Sequence, residues 1–132
     1  MIGLDTNVLA HLFIDDDPVQ ARGAREFVAR RCNERERAFV DRVALCELVW
    51  VLSYSHGYEQ KEIASVIERI LENQVMMLED TDAVRAALHL FVRRNIDFAD
   101  ALIGEVNRQR GCQATATFDR KAARLDGFVR VS

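Results

Sequence analysis

Short apolar runs alternate with longer stretches in which apolar residues recur at helical spacing, from one end of the chain to the other. Ile2–Leu4, Ala38–Val40, Val75–Leu78, Gln113–Thr117 and Gly127–Val131 read as strands. Between them lie helical patterns at Thr6–Ile14, Val19–Arg31, Val43–Tyr54, Tyr58–Glu72, from Asp80-Thr81-Asp82 to Arg94, from Asp97 to Arg110, and at Asp119–Arg124. Strands separated by helices must return by crossovers, and crossovers give a parallel sheet covered by helices. The expected fold is therefore α/β, three-layer α/β/α, with a mostly parallel central sheet flanked by helices. At 132 residues the chain fits one domain spanning 1–132. Punctuation supports these bounds: Asp17 before Pro18 predicts an N-cap with proline at the first helical position, and Gly111 predicts a helix stop.

Composition removes several classes. With 49% hydrophobic and 30% charged residues, one Pro and six Gly, the chain is neither disordered nor collagen-like. No apolar run approaches the length of a membrane helix, and the N-terminal MIGLDTNVLAHLF has neither a basic leader nor a cleavage site. Cys32, Cys46 and Cys112 are far apart and odd in number, which suits reduced thiols in a cytoplasm better than a disulfide framework or zinc ribbon. His11, His56 and His89 show no metal-ligand spacing. No GxGxxG is present, so a dinucleotide site is excluded. Asp5-Thr6-Asn7 is not the DxD of a dehalogenase-type phosphatase, and a receiver domain's paired acids and late lysine are not evident.

Ligands of open parallel sheets bind outside the carboxyl ends of the strands. Four acids fall there: Asp5 ends the first strand, Glu47 lies a turn into the helix after the second, Asp100 opens another helix, and Asp119 follows Gln113–Thr117. Taken singly, Asp5 and Asp119 are equally well read as N-caps. Glu47 stands inside the apolar string Ala44–Leu52, where an unpaired buried carboxylate would be costly, so it is expected to face a polar cavity or a cation. Asp97 suits an N-cap, leaving Asp100 as the functional member of that pair. Such acids together need a counter-charge, and oxygen donors without His or Cys select Mg²⁺ or Mn²⁺. Such a cation supplies a nucleophilic water and neutralises charge at phosphorus, which suits phosphodiester hydrolysis. The net charge of −3 does not oppose a nucleic-acid partner, since setting aside four carboxylates leaves −3 + 4 = +1.

Four segments together carry a family resemblance: Gly3-Leu4-Asp5-Thr6-Asn7-Val8-Leu9, Cys46-Glu47-Leu48-Val49-Trp50-Val51-Leu52, Asp97-Phe98-Ala99-Asp100-Ala101-Leu102-Ile103 and Thr115-Ala116-Thr117-Phe118-Asp119-Arg120-Lys121-Ala122. In order and spacing the chain resembles the PIN-domain ribonucleases, specifically the VapC-type toxins of VapBC toxin–antitoxin pairs, over essentially its whole length. The resemblance implies that Asp5, Glu47, Asp100 and Asp119 hold Mg²⁺ or Mn²⁺. Asp5 and Asp100 would be the main ligands, Glu47 a ligand or the group orienting the water, and Asp119 an outer or second-metal ligand. Thr6 would orient Asp5, Thr117 would contact a metal water or the substrate, and Asn7 would hold the strand-exit turn. It further implies an endoribonuclease in which metal-activated water leaves 5′-phosphate and 3′-hydroxyl ends. The implied partners are an RNA substrate, a VapB-type antitoxin and a second copy in a homodimer, with DNA reached only through the antitoxin.

Arg120, Lys121 and Arg124 are candidates for the RNA backbone, against the plainer reading of a solvated helix face. The apolar faces of Val43–Tyr54 and Tyr58–Leu71 would be core or partner surface. Two other functions compete on the same fold: a non-catalytic RNA-binding or regulatory module, and a DNA-directed nuclease of similar chemistry.

Overall fold

The computed structural model describes residues 1–132 and resolves them into two compact units, Met1–Thr81 and Asp82–Ser132. The first unit contains β1 (Ile2–Gly3), α1 (Thr6–His11), α2 (Pro18–Arg31), β2 (Ala38–Val40), α3 (Arg42–Trp50), α4 (Gln60–Glu72) and β3 (Met76–Leu78). Its sheet runs in the order β1-β2-β3, with Ile2 opposite Ala38 and Ala38 opposite Met76, and both pairings are parallel. The second unit contains α5 (Thr81–Arg94), which begins one residue before it, then α6 (Phe98–Gln109), β4 (Thr115–Thr117) and β5 (Phe128–Arg130). There β4 and β5 pair in parallel, Thr115 opposite Phe128. The expected α/β class with parallel strands joined by helices is what the structure has. The five strands divide as three and two.

Acids set the helix starts. Asp5 accepts from the Val8 amide at 2.9 Å, Asp41 from Ala44 at 2.8 Å, and Asp17 from both Val19 and Gln20 at 3.2 and 3.1 Å, with Pro18 at the first helical position. Glu59 and Glu62 form a reciprocal capping box at the start of α4. Gly111, at φ +88°, ends α6: its amide reaches Arg108 O and the Cys112 amide reaches Asn107 O, the paired bonds of a Schellman stop.

Three segments differ from the sequence expectation. The helix predicted at Thr6–Ile14 ends at His11. The one predicted at Val43–Tyr54 is α3 followed by a π turn, Val51–Ser55. Leu45, Leu48 and Leu52 stay in phase and fully buried through the wider turn, so the apolar period does not betray it. Asp119–Arg124 shrinks to one 3₁₀ turn, Ala122–Arg124, and the Asp119 carboxylate accepts the Ala122 amide at 3.0 Å.

Each unit has its own apolar centre, Leu9, Val40, Leu45, Leu48 and Ile67 in the first, Phe98, Ala101 and Val84 in the second, where Phe91 meets Phe98 edge to face. The histidines are less ordinary than their spacing implied. Asp16 carries His56 Nε2 at 3.1 Å and His11 Nδ1 at 3.7 Å, and the His56 hydrogen bond holds its carboxyl below the usual range. No helix is long and apolar enough to cross a membrane.

Candidate active site

Asp5 leaves β1 with extended backbone (φ −79°, ψ 171°), which turns the chain into α1 and commits Oδ1 to the Val8 amide. The side chain is exposed, and the cap uses one of its two oxygens. Capping and metal ligation are thus compatible roles for one carboxylate. Glu47 lies on the solvent side of α3, opposite Leu45 and Leu48, so the apolar string around it does not bury it. Its Oε2 accepts the Thr6 hydroxyl at 3.0 Å. That bond joins the first turn of α1 to the middle of α3, and it gives Thr6 a partner other than the expected Asp5. Asn7 lines an open cleft of about 510 Å³ with Asp5, Val8, His11 and the α2 residues Gly23 and Phe27.

In the second unit Asp97 caps α6 by accepting the Asp100 amide at 3.2 Å, as its position in the sequence implies. Burial pushes the Asp100 carboxyl above its usual range, and the negative charges of Asp97 and Asp119 push it further the same way. Thr117 Oγ1 accepts the Asp119 amide at 3.0 Å, while Asp119 Oδ1 accepts that of Ala122. Thr117 therefore shapes the turn that presents Asp119. Asn107 donates to the Thr115 hydroxyl at 3.0 Å and ties α6 to β4, a role that sequence spacing gave no sign of. Arg120, Lys121 and Arg124 are all exposed.

The structure thus shows Thr6 with Glu47 in one unit, and Asp97, Asp100 and Asp119 sharing a field in the other. Within neither unit are three His, Cys, Asp or Glu side chains grouped as a ready metal cage. The donor chemistry nevertheless suits a hard divalent cation. The donors are carboxylate oxygens, and Asp100 is an anion made costly by burial and by two like charges, which a cation would relieve.

Two measurements follow from these contacts. Thr6→Val should lower RNA cleavage about tenfold, as loss of a partner orienting a ligand does, with melting unchanged within about 2 °C because the bond is exposed. Thr6→Ser should restore it. Asp100→Asn should raise the melting temperature of the metal-free protein by about 1–2 °C at neutral pH, a small value because solvent screens this partly exposed group. The sign follows from the raised pKa. Folding favours the protonated carboxyl, so stability is lost as pH rises through the Asp100 range, and the asparagine gain should vanish in acid.

The chain joins parallel strands by helices and carries carboxylates after its strands and early in its helices, and residues 2–128 match the PIN domain family. The chain belongs to that family. It is 27% identical over 129 residues to a VapC ribonuclease of Aquifex aeolicus (strain VF5), covering 98% of this chain and 94% of that protein. Among solved structures it is similar to Mycobacterium tuberculosis VapC20, described as a sarcin-ricin loop cleaving toxin, at 23% identity and a TM-score of 0.46, covering 98% and 97% of the two chains.

Proposed function

We propose that the protein is a divalent-metal-dependent endoribonuclease, the toxin of a toxin–antitoxin pair, with its 132 residues acting as one PIN domain. The observation that carries this reading is the match of residues 2–128 to the PIN domain family, in a chain whose exposed Asp5 follows the first strand and whose exposed Glu47 is bonded to the neighbouring Thr6. Similarity to a VapC ribonuclease over nearly the whole chain supports the choice of substrate and of an antitoxin partner.

Asp5, Glu47, Asp100 and Asp119 are the carboxylates that would hold Mg²⁺ or Mn²⁺. When bound, the cation supplies a water nucleophile of lowered pKa and neutralises charge gathering on the phosphoryl oxygens. Glu47, held by the Thr6 hydroxyl, would add a ligand or orient the attacking water. Asp5 and Asp100 would be the main ligands, and Asp119 an outer or second-metal ligand. Asn7 would steady the strand-exit turn, and Thr117, which holds the Asp119 loop, would contact a metal water or the substrate. Arg120, Lys121 and Arg124 face the RNA backbone. In-line attack leaves a 5′-phosphate and a 3′-hydroxyl. The working assembly is a homodimer that a VapB-type antitoxin silences, with no direct role for DNA.

The test is cleavage of total cellular RNA by purified protein with Mg²⁺ or Mn²⁺. Discrete fragments that vanish with EDTA are expected, with matched DNA left intact. Binding of RNA without cleavage in either metal would sink the catalytic reading, and equal cleavage of DNA would overturn the choice of substrate.

A further inference from the structure

The side of α3 turned away from the core is unusual for a helix that supplies a candidate metal ligand. Leu45, Leu48 and, in the π turn, Leu52 are fully buried. Opposite them runs an exposed stripe of Val43, Glu47, Trp50 and Tyr54, at positions i, i+4, i+7 and i+11. Trp50 is 59% exposed and Tyr54 76%, and their rings lie 5.3 Å apart between centroids at 34°. Two aromatic rings left in water and already packed on each other gain nothing for the core, although an aromatic side chain is among the most favourable to bury. At about 1.5 Å of rise per residue, Trp50 stands about 4.5 Å along the axis from Glu47, within the reach of one nucleotide.

We propose that Trp50 and Tyr54 form a stacking platform for an unpaired base of the RNA, beside the phosphate that Glu47 serves. This rests on the ribonuclease reading and adds the side chains that receive a base. The chemistry around the rings favours a nucleotide. Residues 48–58 contain no Asp or Glu, and the Asp16 carboxylate that reaches this segment is held by the His56 ring. The other exposed side chains of the π turn are the hydroxyls of Ser53 and Ser55, donors and acceptors for sugar and phosphate. Leu52 is buried and Val51 half-buried, so beyond Glu47 the stripe offers flat π surface and hydroxyls with no aliphatic ridge for a protein partner. Stacking on aromatic faces is how single strands are held without a base code. A π turn directly after a functional helix is also a common sign of a site.

Trp50 is the only tryptophan, so its emission reports this surface alone. The full chain would be titrated, in chelator so that nothing is cleaved, with short fluorescein-labelled single-stranded RNA of randomised sequence. RNA anisotropy and Trp50 emission would be followed together. Quenching of Trp50 in step with anisotropy is expected, with weak or no quenching by duplex RNA. Trp50→Leu should weaken binding about 5- to 150-fold, and Trp50→Phe less than threefold, with circular dichroism showing both folded. Anisotropy that rises while Trp50 emission stays constant would overturn the platform and leave the nuclease reading standing. Trp50 already shielded from acrylamide in a dimer before RNA is added would also overturn it, the cover then being a second copy. RNA that fails to bind at all would overturn both readings.

Discussion

Asp5→Asn is expected to lower RNA cleavage at least about a hundredfold while leaving the fold intact. The substitution separates two roles that one side chain carries. As a cap, Asp5 offers a single oxygen to the Val8 amide, and an asparagine carbonyl makes that bond equally well. As a ligand, it offers charge that a neutral amide lacks. Asp5→Ala removes both and should also cost about 1 kcal/mol of stability, seen as a lower melting temperature. The comparison therefore has a clear reading. If the asparagine variant still cleaves in Mg²⁺ while the alanine variant merely melts earlier, Asp5 is a helix cap and the metal must be held without it. The expected pattern is the reverse: full stability without activity in one variant, reduced stability without activity in the other.

Much of this was legible because it rests on local rules. The alternation of apolar runs and helical stripes gives the parallel strand pairing of both sheets. Asp17-Pro18, Asp97 and Gly111 mark helix ends where their caps are found. The placement of Asp5 after the first strand and of Asp100 in the first turn of its helix is legible for the same reason, since strand exits and helix starts can be read from sequence. What escaped depends on contacts far apart in the chain, or on geometry that leaves the apolar period unchanged. The Thr6–Glu47 bond spans 41 residues, and nothing near Thr6 announces it. Glu47 is expected from its apolar neighbours to face a polar cavity or a cation, and what the sequence does not show is that one turn of helix puts Leu45 and Leu48 inside and Glu47 in solvent. The π turn at Val51–Ser55 is silent because Leu52 remains buried either way. The segment Asp119–Arg124 holds only one 3₁₀ turn, Ala122–Arg124, because its first residues form a turn tied by Asp119, whose amide donates to Thr117 and whose carboxylate accepts the Ala122 amide.

Gly104→Ala should destabilise the protein, although at an ordinary helix position the same change helps. Gly104 lies in α6, where alanine is intrinsically better than glycine by about 1 kcal/mol. Here a Cβ would fall 2.6 Å from Phe128 Cε2 and closer still to Cζ, so the ring of a β5 residue occupies the space left by the missing side chain. Relief requires either that Phe128, now half-buried, swing out, or that α6 move away from it. Overpacking of this kind costs about 1–3 kcal/mol, enough to outweigh the propensity gain at most of that range. The net loss should reach about 2 kcal/mol at the upper end of that range, a drop of several degrees in melting temperature. The same displacement bears on the chemistry, because Asp100 is four residues before Gly104 on the same helix, one turn away. A shift of α6 carries that carboxylate with it, and cleavage should fall together with stability. Phe128→Ala tests the cause: placed in the Gly104→Ala background it removes the clash, so the two substitutions together should cost less than the sum of each alone. Additive losses would mean that the glycine is needed for some reason other than the Phe128 ring.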